Sequence, residues 1–297
     1  MPRTPHSILV PTDLSATADR AVELALGLAR RFDAAIHLLH VRELLEQPLL
    51  PDQEQAEVER LLASADRSGE ETLSREAEDL GPAPVTPHLV RGVSAAEAIV
   101  QSGADLGCDL IVIGTHGRRG IKSLLLGSVA EAVVRTASTP VLTVHLESHV
   151  DLQPVPRILL AHDFSREALE TLDLASTWAR ALEAEIVLLH IVEPVVYPEF
   201  YGVDILPDEM LPRLRERSLK ALEELAATHL DRVNTTPRVV VGKPGEAIIR
   251  EAEENGADLI VMGKRGLNVF EQLLLGSIAD KVLRRSRVPV LTVRSHG

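Results

Sequence analysis

Short apolar runs alternate along this chain with segments whose apolar residues recur at helical spacing. Some runs are apolar at every position, which is typical of strands covered by helices on both faces of a parallel sheet. They include Ile8–Val10, Ile111–Ile113 and Leu259–Met262. Another set follows the i, i+3, i+4, i+7 spacing of an amphipathic helix. Its members are Val58, Leu61, Leu62 and Ala65. The alternation predicts a series of βα units.

The first half of the chain holds five predicted strands. They lie near residues 7–11, 35–41, 85–90, 109–113 and 140–145. Helices are predicted at Ser15–Phe32, around Gln55–Leu80, at Ser94–Leu106 and at Ser128–Thr136. This order indicates a doubly wound, Rossmann-like α/β domain, with a five-stranded parallel sheet and helices on both faces. Ligands of such domains bind beyond the carboxyl ends of the strands.

The second half of the chain repeats the first. Ile8–Ser15 recurs as Ile158–Ser165, and Pro140–His145 recurs as Pro289–Arg294. Two further pairs are Ile36–Val41 with Ile186–Ile191 and Asp109–Gly114 with Asp258–Gly263. The offset is 150 residues early in the chain and 149 late, so the copies differ by one inserted or deleted residue. A period of this size indicates two tandem domains, 1–148 and 149–297, with a seam near Glu147–Pro156.

A glycine pattern with the spacing Gly-x2-Gly-x9-Gly-Ser follows the fourth strand of each domain. The first copy has Gly114, Gly117, Gly127 and Ser128, and the second has Gly263, Gly266, Gly276 and Ser277. Glycine permits close approach to a ligand or a positive φ. The free N–H groups at a helix start bind phosphate. The alternative is structural, since Ser128-x-x-Glu131 fits a helix capping box and Ser277-x-x-Asp280 nearly fits one.

The glycine pattern resembles the ATP-binding signature of the universal stress protein family. The resemblance extends over essentially the whole chain as two domains. It includes the aspartate after the first strand, the end of the second strand at His40-Val41 and the closing strand Pro-Val-Leu-Thr-Val. It implies ATP, with Mg²⁺ at the phosphates, in the crevice at the strand ends of each domain.

The resemblance also implies roles for matching residues. At the adenosine end it places Pro11, Thr12 and Asp13, with Ala161, His162 and Asp163 in the second copy. It places Val41 and Ile191 against adenine. The segment beside the ribose and phosphates comprises Ile113, Gly114, His116 and Gly117, with Met262, Gly263, Arg265 and Gly266. The phosphates would be held by Gly127, Ser128 and Val129, with Gly276, Ser277 and Ile278. A carboxylate suits the adenosine end because it would repel phosphates beside it.

Composition excludes several other functions. With 31 basic and 44 acidic side chains the net charge is −13, which disfavours binding to nucleic acid or anionic membranes. The single cysteine excludes an internal disulfide. The sequence has no apolar run long enough to span a membrane, and its start lacks the pattern of a signal peptide. We therefore expect a cytoplasmic location.

Competing catalytic motifs are missing from the sequence. It has no Gly-x4-Gly-Lys-[Ser/Thr] P-loop and no Gly-x-Gly-x-x-Gly after the first strand of either domain. His40 and His190 end equivalent strands and are interpreted as polar tips at a rim. Replacement of His116 by Arg265 in the second copy favours a cationic phosphate contact over a base or a metal ligand. Cys108 is interpreted as a small buried residue.

Two features concern assembly. The last strands, Pro140–His145 and Pro289–Arg294, should lie at sheet edges, and such edges are templates for pairing. In single-domain members of the family this strand joins two chains, so the resemblance implies an antiparallel pair within one chain, a built-in dimer. The segment Glu193–Glu209, with Tyr197, Phe200 and Tyr201, has no counterpart in the first domain. It would serve as a lid, as a contact for a further homodimer, or as a loop patching its own domain.

These observations lead to one main hypothesis and two alternatives. The main hypothesis is an ATP-binding stress-response protein that acts as a nucleotide-dependent regulator or scaffold and not as a dedicated enzyme. The first alternative is a slow ATP hydrolase or adenylate-handling enzyme. The second is an interaction scaffold that does not bind nucleotide, which the intact glycines disfavour.

Overall fold

The computed structural model describes residues 4–44, 52–81, 84–116, 126–149, 155–193, 210–264 and 275–294. The first half contains β1 (Ser7–Pro11), α1 (Ala16–Phe32), β2 (Ala35–Glu43), α2 (Asp52–Asp79), β3 (Val85–Gly92), α3 (Ala95–Asp105), β4 (Leu110–Gly114), α4 (Ser128–Thr136) and β5 (Val141–Val144). The second half contains β6 (Arg157–Ala161), α5 (Arg166–Leu182), β7 (Glu185–Val192), α6 (Met210–His229), β8 (Thr235–Val241), α7 (Pro244–Glu254), β9 (Leu259–Gly263), α8 (Ser277–Arg285) and β10 (Val290–Val293). The predicted elements of the first half are confirmed, with small shifts at their ends.

All ten strands form one sheet, in the order β3-β2-β1-β4-β5-β10-β9-β6-β7-β8. Neighbouring strands within each half are parallel, as predicted. At the centre, β5 and β10 pair antiparallel, with Leu142 opposite Leu291. The threonines beside them add hydrogen bonds across the seam: Thr143 Oγ1 donates to Val290 O (3.3 Å) and Thr292 Oγ1 to Val141 O (3.2 Å). The predicted pairing of the two edges is therefore confirmed.

Helices cover both faces of the sheet because strand residues alternate between two apolar layers. Ile8 and Val10 pack with α1, α2, α5 and α6 on one face, and Leu9 packs with α3, α4, α7 and α8 on the other. Each layer continues across both halves. On the first face, the rings of Phe32 and Trp178 meet edge to face with centroids 5.2 Å apart, which packs α1 of one half against α5 of the other.

Two further predictions concern single features. Cys108 is buried and unoxidised, as expected, with Ser7 Oγ 3.4 Å from its Sγ. Within the described ranges, none of the helices combines the length and hydropathy that a membrane crossing needs. The segment 194–209, including Tyr197, Phe200 and Tyr201, and residues 150–154 of the seam lie outside the described residues.

Candidate functional site

An aspartate shapes the turn after the first strand of each half. Asp13 Oδ1 accepts a hydrogen bond from Ser15 N (3.2 Å), and Asp163 Oδ1 accepts from both Ser165 N (3.0 Å) and Ser165 Oγ (2.6 Å). These serines then cap α1 and α5 through bonds from the third following residue. The carboxylates are therefore fixed at the carboxyl ends of β1 and β6, where the resemblance places the adenosine.

The residue after each aspartate has an unusual backbone conformation. Leu14 has φ 60° and Phe164 has φ 62°, in the left-handed region that side chains other than glycine rarely adopt. Such strain costs about 1–3 kcal/mol per residue and is common at binding sites. The same strained conformation occurs at the same position of both repeats. The residues packed around each turn must therefore hold it in place.

A histidine on the neighbouring strand forms a hydrogen bond to the backbone of each turn. The Nδ1 of His40 lies 2.8 Å from Thr12 O, and the Nδ1 of His190 lies 2.9 Å from His162 O. A carbonyl only accepts, so Nδ1 is the donor in both rings. Burial lowers the pKa of His190, although its bond to His162 O acts in the opposite direction. The sequence predicts that these histidines are polar tips at a rim; both are partly exposed near the ends of their strands, and the structure adds that they support the turns. Their recurrence at equivalent strand ends was the signal that could have shown this.

Two glycines of the signature, Gly114 and Gly127, are required by close backbone contact and not by a positive φ. A Cβ on Gly114 would lie 2.9 Å from Thr17 O, and one on Gly127 would lie 2.9 Å from Thr115 O. Gly127 N donates to Thr115 O at 2.7 Å, and in the second half Gly276 N donates to Lys264 O at 3.0 Å. Each bond brings the chain back to the strand end just before the last helix starts.

The capping-box interpretation of the two serines is wrong. Ser128 and Ser277 are the first residues of α4 and α8, and the cap positions are Gly127 and Gly276. Among the described residues no side chain caps either helix. Glu131 instead forms an ion pair with Arg284 at 2.8 Å. Within the part of the chain that the structure describes, the first N–H groups of both helices therefore have no side-chain partner, as an anion site at the strand-end crevice requires.

A cavity of about 280 Å³ opens at the strand ends of the second half. Its walls include nine residues that the sequence predicted: Ala161, His162, Asp163, Ile191, Met262, Gly263, Gly276, Ser277 and Ile278. The sequence missed several others: Ala168, His190, Glu193, Pro244, Ile248, Lys264 and Ala279. The apolar members come from α5, α7 and α8, whose packing onto this end of the sheet has no motif of its own.

The equivalent residues of the first half take equivalent places in the fold. Pro11 lies on β1, Val41 on β2 and Ile113 on β4. Val129 lies in the first turn of α4 and packs, partly buried, against the apolar layer beneath that helix. Thr12 is buried, and its Oγ1 accepts from Leu14 N (3.0 Å). His116 follows β4, with its Nδ1 3.0 Å from Thr115 Oγ1. Gly117, Arg265 and Gly266 lie outside the described residues.

The comparison with known proteins decides the family. The model of the universal stress protein family matches residues 5–145 and again residues 154–294. This chain belongs to the universal stress protein family. Each match falls within one of the two predicted domains, whose boundaries stay a prediction.

Some curated universal stress proteins match one domain and others match the whole chain. A universal stress protein of Thermus aquaticus is 36% identical over 137 residues, which is 46% of this chain and 97% of that protein. One of Mycobacterium tuberculosis is 27% identical over 312 residues and covers 99% of this chain and 98% of its own length. The crystal structure of a universal stress protein from Archaeoglobus fulgidus superposes with a TM-score of 0.69 at 24% identity, covering 98% of this chain and 97% of that one. The tandem arrangement thus recurs in other universal stress proteins.

The two universal stress protein domains differ at the position before the aspartate. His162 replaces Thr12; it is 4% exposed, and neither ring nitrogen finds a hydrogen-bond partner among the described residues. Its ring packs edge to face on Phe164 (5.3 Å), which in turn packs on His190 (4.5 Å). Burial lowers the pKa of His162 to about 4, against an opposing attraction from Asp163. The second turn is therefore built around a neutral imidazole.

Proposed function

We propose that this universal stress protein binds ATP at one site in each domain and acts in the stress response as a nucleotide-dependent regulator or scaffold. One observation carries the proposal. In the second half, the lining of the cavity of about 280 Å³ includes both Asp163 and the start of α8 at Gly276-Ser277. A nucleotide has the matching polarity, with hydroxyl donors at one end and phosphates at the other.

The charges of these two parts of the lining favour one orientation of the nucleotide. Among the described residues no side chain caps the start of α8, and its N–H groups and the positive end of the helix dipole attract phosphate. The carboxylate of Asp163 repels phosphate and accepts hydrogen bonds from ribose hydroxyls. Ile191 and Met262 also line the cavity and supply apolar walls that suit a planar base.

Mg²⁺ fits this proposal as a companion of the phosphates. Within the described ranges, no group of three or more His, Cys, Asp and Glu side chains is placed to hold a metal. Mg²⁺ keeps several waters and binds largely through substrate phosphates. The ion would thus neutralise phosphate charge, and the chain would contribute mainly the Ser128 or Ser277 hydroxyl.

Calorimetry on the full chain tests the proposal. We expect ATP to bind with a stoichiometry of up to two per chain. Ser128→Glu and Ser277→Glu should each remove one site, because the new carboxylate lies where the phosphates would bind. Both serines are exposed, and acidic residues are favoured in a first helical turn, so the fold should be retained. Ser128→Ala and Ser277→Ala are the matched controls; they lose only a hydroxyl, so ATP should bind more weakly at the altered site but still at both sites.

Two outcomes would overturn the proposal. Failure to bind ATP at millimolar concentration would leave a scaffold without nucleotide. Multiple rapid turnovers of ATP by the purified chain would favour the enzyme alternative, whereas slow or undetectable turnover supports a regulator. Mass spectrometry of small molecules released from the denatured protein identifies any nucleotide that co-purifies.

A further inference from the structure

Helix α4 starts at the candidate site of the first half. Its carboxyl end contacts Lys264, which lines the candidate site of the second half. The final carbonyl after α4, Ala137 O, accepts a hydrogen bond from Lys264 Nζ at 2.7 Å. Lys264 is 5% exposed and lines the second cavity. Its own backbone carbonyl accepts the bond from Gly276 N that positions the start of α8. One residue thus contacts the phosphate loop of the second site and the helix of the first.

A second connection runs in the opposite direction. His145, which follows β5, lies with its Nε2 2.8 Å from Leu283 O in the last turn of α8. Its ring contacts that of His116, at the end of β4 beside the first site, with centroids 5.7 Å apart. Burial lowers the pKa of His145, so the neutral ring donates from Nε2 to that carbonyl. The carboxyl end of α8, the helix that starts at the second site, therefore contacts His145, whose ring contacts His116 beside the first site.

An ion pair joins the two helices directly. Arg284, in the last turn of α8, contacts Glu131 in the first turn of α4 at 2.8 Å and Asp280 of its own helix at 2.8 Å. Both partners of the interhelical pair are partly buried, which reduces screening by solvent. Together with the bonds from Lys264 and His145, it links the first site, α4, the second site and α8 in a closed path.

These contacts do not follow from the repeat. The counterpart of Lys264 is Thr115, which cannot span the same distance, and the counterpart of His145 is Arg294. Burying an ammonium group is costly unless it is paired, and the carboxyl end of α4 supplies both an acceptor and the negative end of the dipole. A buried cation of this kind fixes its neighbours, because displacing it would leave an unsatisfied charge.

We propose that Lys264 and His145 are positioning residues that couple the two sites, so that filling one raises the affinity of the other. This inference rests on the proposed function. A nucleotide at the first site orders the start of α4, and a nine-residue helix transmits that order to Ala137 as a rigid unit. Lys264 and the wall of the second cavity are then already ordered. Binding of the second ligand therefore causes a smaller loss of conformational entropy. Linkage requires the reverse effect to be equal.

Calorimetry with site-blocked chains measures the coupling. Only the first site can fill in Ser277→Glu, and only the second in Ser128→Glu. We expect ATP to bind each of these single sites at least 5-fold more weakly than it binds the same site in the wild type when the other site is filled. A factor of about 5 is the lower end of typical allosteric couplings. Lys264→Met and His145→Phe should bring this ratio to about one, because each removes the donor that crosses between the halves. Lys220→Met, which alters an exposed lysine on α6, is the matched control and should retain the ratio.

Hydrogen exchange on chains that retain Lys264 and His145 gives an independent readout. In Ser128→Glu, where only the second site fills, ATP should slow amide exchange in residues 133–137 at the far end of α4. Unchanged exchange there, or a ratio of one in the wild type with two occupied sites, would overturn the coupling and leave the proposed function intact. Absence of ATP binding from every variant and from the wild type would instead reject the proposed function.

Discussion

Leu142 and Leu291 lie directly opposite each other at the centre of the ten-stranded sheet, and they are also equivalent residues of the two repeats. A pair of equivalent residues can meet in this way only where a pseudo-two-fold axis passes between them. The symmetric bonds from Thr143 and Thr292 follow from the same axis. The chain is therefore organised as a dimer whose two subunits are covalently joined.

A proline at the axis should separate the halves. β5 has neighbours on both sides, so Leu142→Pro removes a ladder hydrogen bond as well as the side chain. Trp178, the only tryptophan, is buried against Phe32 of the other half, and its emission should shift to the red as that contact opens. Leu142→Ala is the control, which loses about 2–5 kcal/mol of packing but keeps the backbone bonds.

Hydrogen exchange of the wild type checks the same arrangement without a mutation. Amides of residues 141–144 and 290–293 should be among the slowest to exchange, since both strands are internal to the sheet. Rapid exchange across these residues in the intact protein would contradict the paired edges.

The sequence predicted the sheet more completely than the contacts between the halves. Uninterrupted apolar runs such as Ile111–Ile113 predict parallel strands that are covered on both faces, and the repeat predicts two such sheets. The unprotected edge strand of each sheet predicts that the two sheets pair. Lys264 could not be found in this way, because its partner Ala137 is 127 residues distant and is reached only after the halves dock. The positions of His40 and His190 at strand ends were found but their bonds to the turns were not, since a bond to the carbonyl of a turn depends on tertiary geometry.

Two glycine-to-alanine changes should have opposite effects on stability. Gly27 lies within α1, and a Cβ there would meet no heavy atom within 4 Å. Gly27→Ala should stabilise the protein by up to about 1 kcal/mol, the difference in helix propensity. In Gly127→Ala the Cβ would press on Thr115 O, with an expected loss of about 1–3 kcal/mol. Urea denaturation measures both; equal effects would show that close contact does not explain why glycine stands at position 127.

The aspartate turns allow binding and folding effects to be separated. Asp163→Asn keeps an oxygen that accepts from Ser165 N, so stability should change little. It removes the charge, and ATP binding at that site should weaken by about 1–3 kcal/mol. Asp163→Ala should lose both binding and stability, because the strained turn at Phe164 also loses its support. Calorimetry with inorganic triphosphate is the control, and an equal loss for triphosphate and ATP would contradict placement of the aspartate at the adenosine end.

His162 should make stability depend on pH in the acid range. Its pKa is lowered by burial from an ordinary 6.5 to about 4 in the folded chain, with Asp163 favouring the charged ring and His190 and His229 disfavouring it. Between these values the unfolded chain binds a proton that the folded chain does not, so stability rises with pH. This contribution is complete above about pH 6.5 and is lost as the pH falls to about 4; it amounts to at most about 3 kcal/mol.

His162→Thr supplies the matched variant, because threonine is the residue that the first domain has at this position. The other buried histidines remain in both proteins, so the difference between their unfolding free energies isolates His162. Urea denaturation from pH 7 to pH 4 should show a shallower decline for His162→Thr, since the variant has no imidazole to protonate on unfolding. An NMR titration should find the His162 ring neutral down to about pH 4. Identical pH profiles, or a ring that titrates near 6.5, would show that the imidazole reaches solvent, and the second turn would then not be built around a neutral buried histidine.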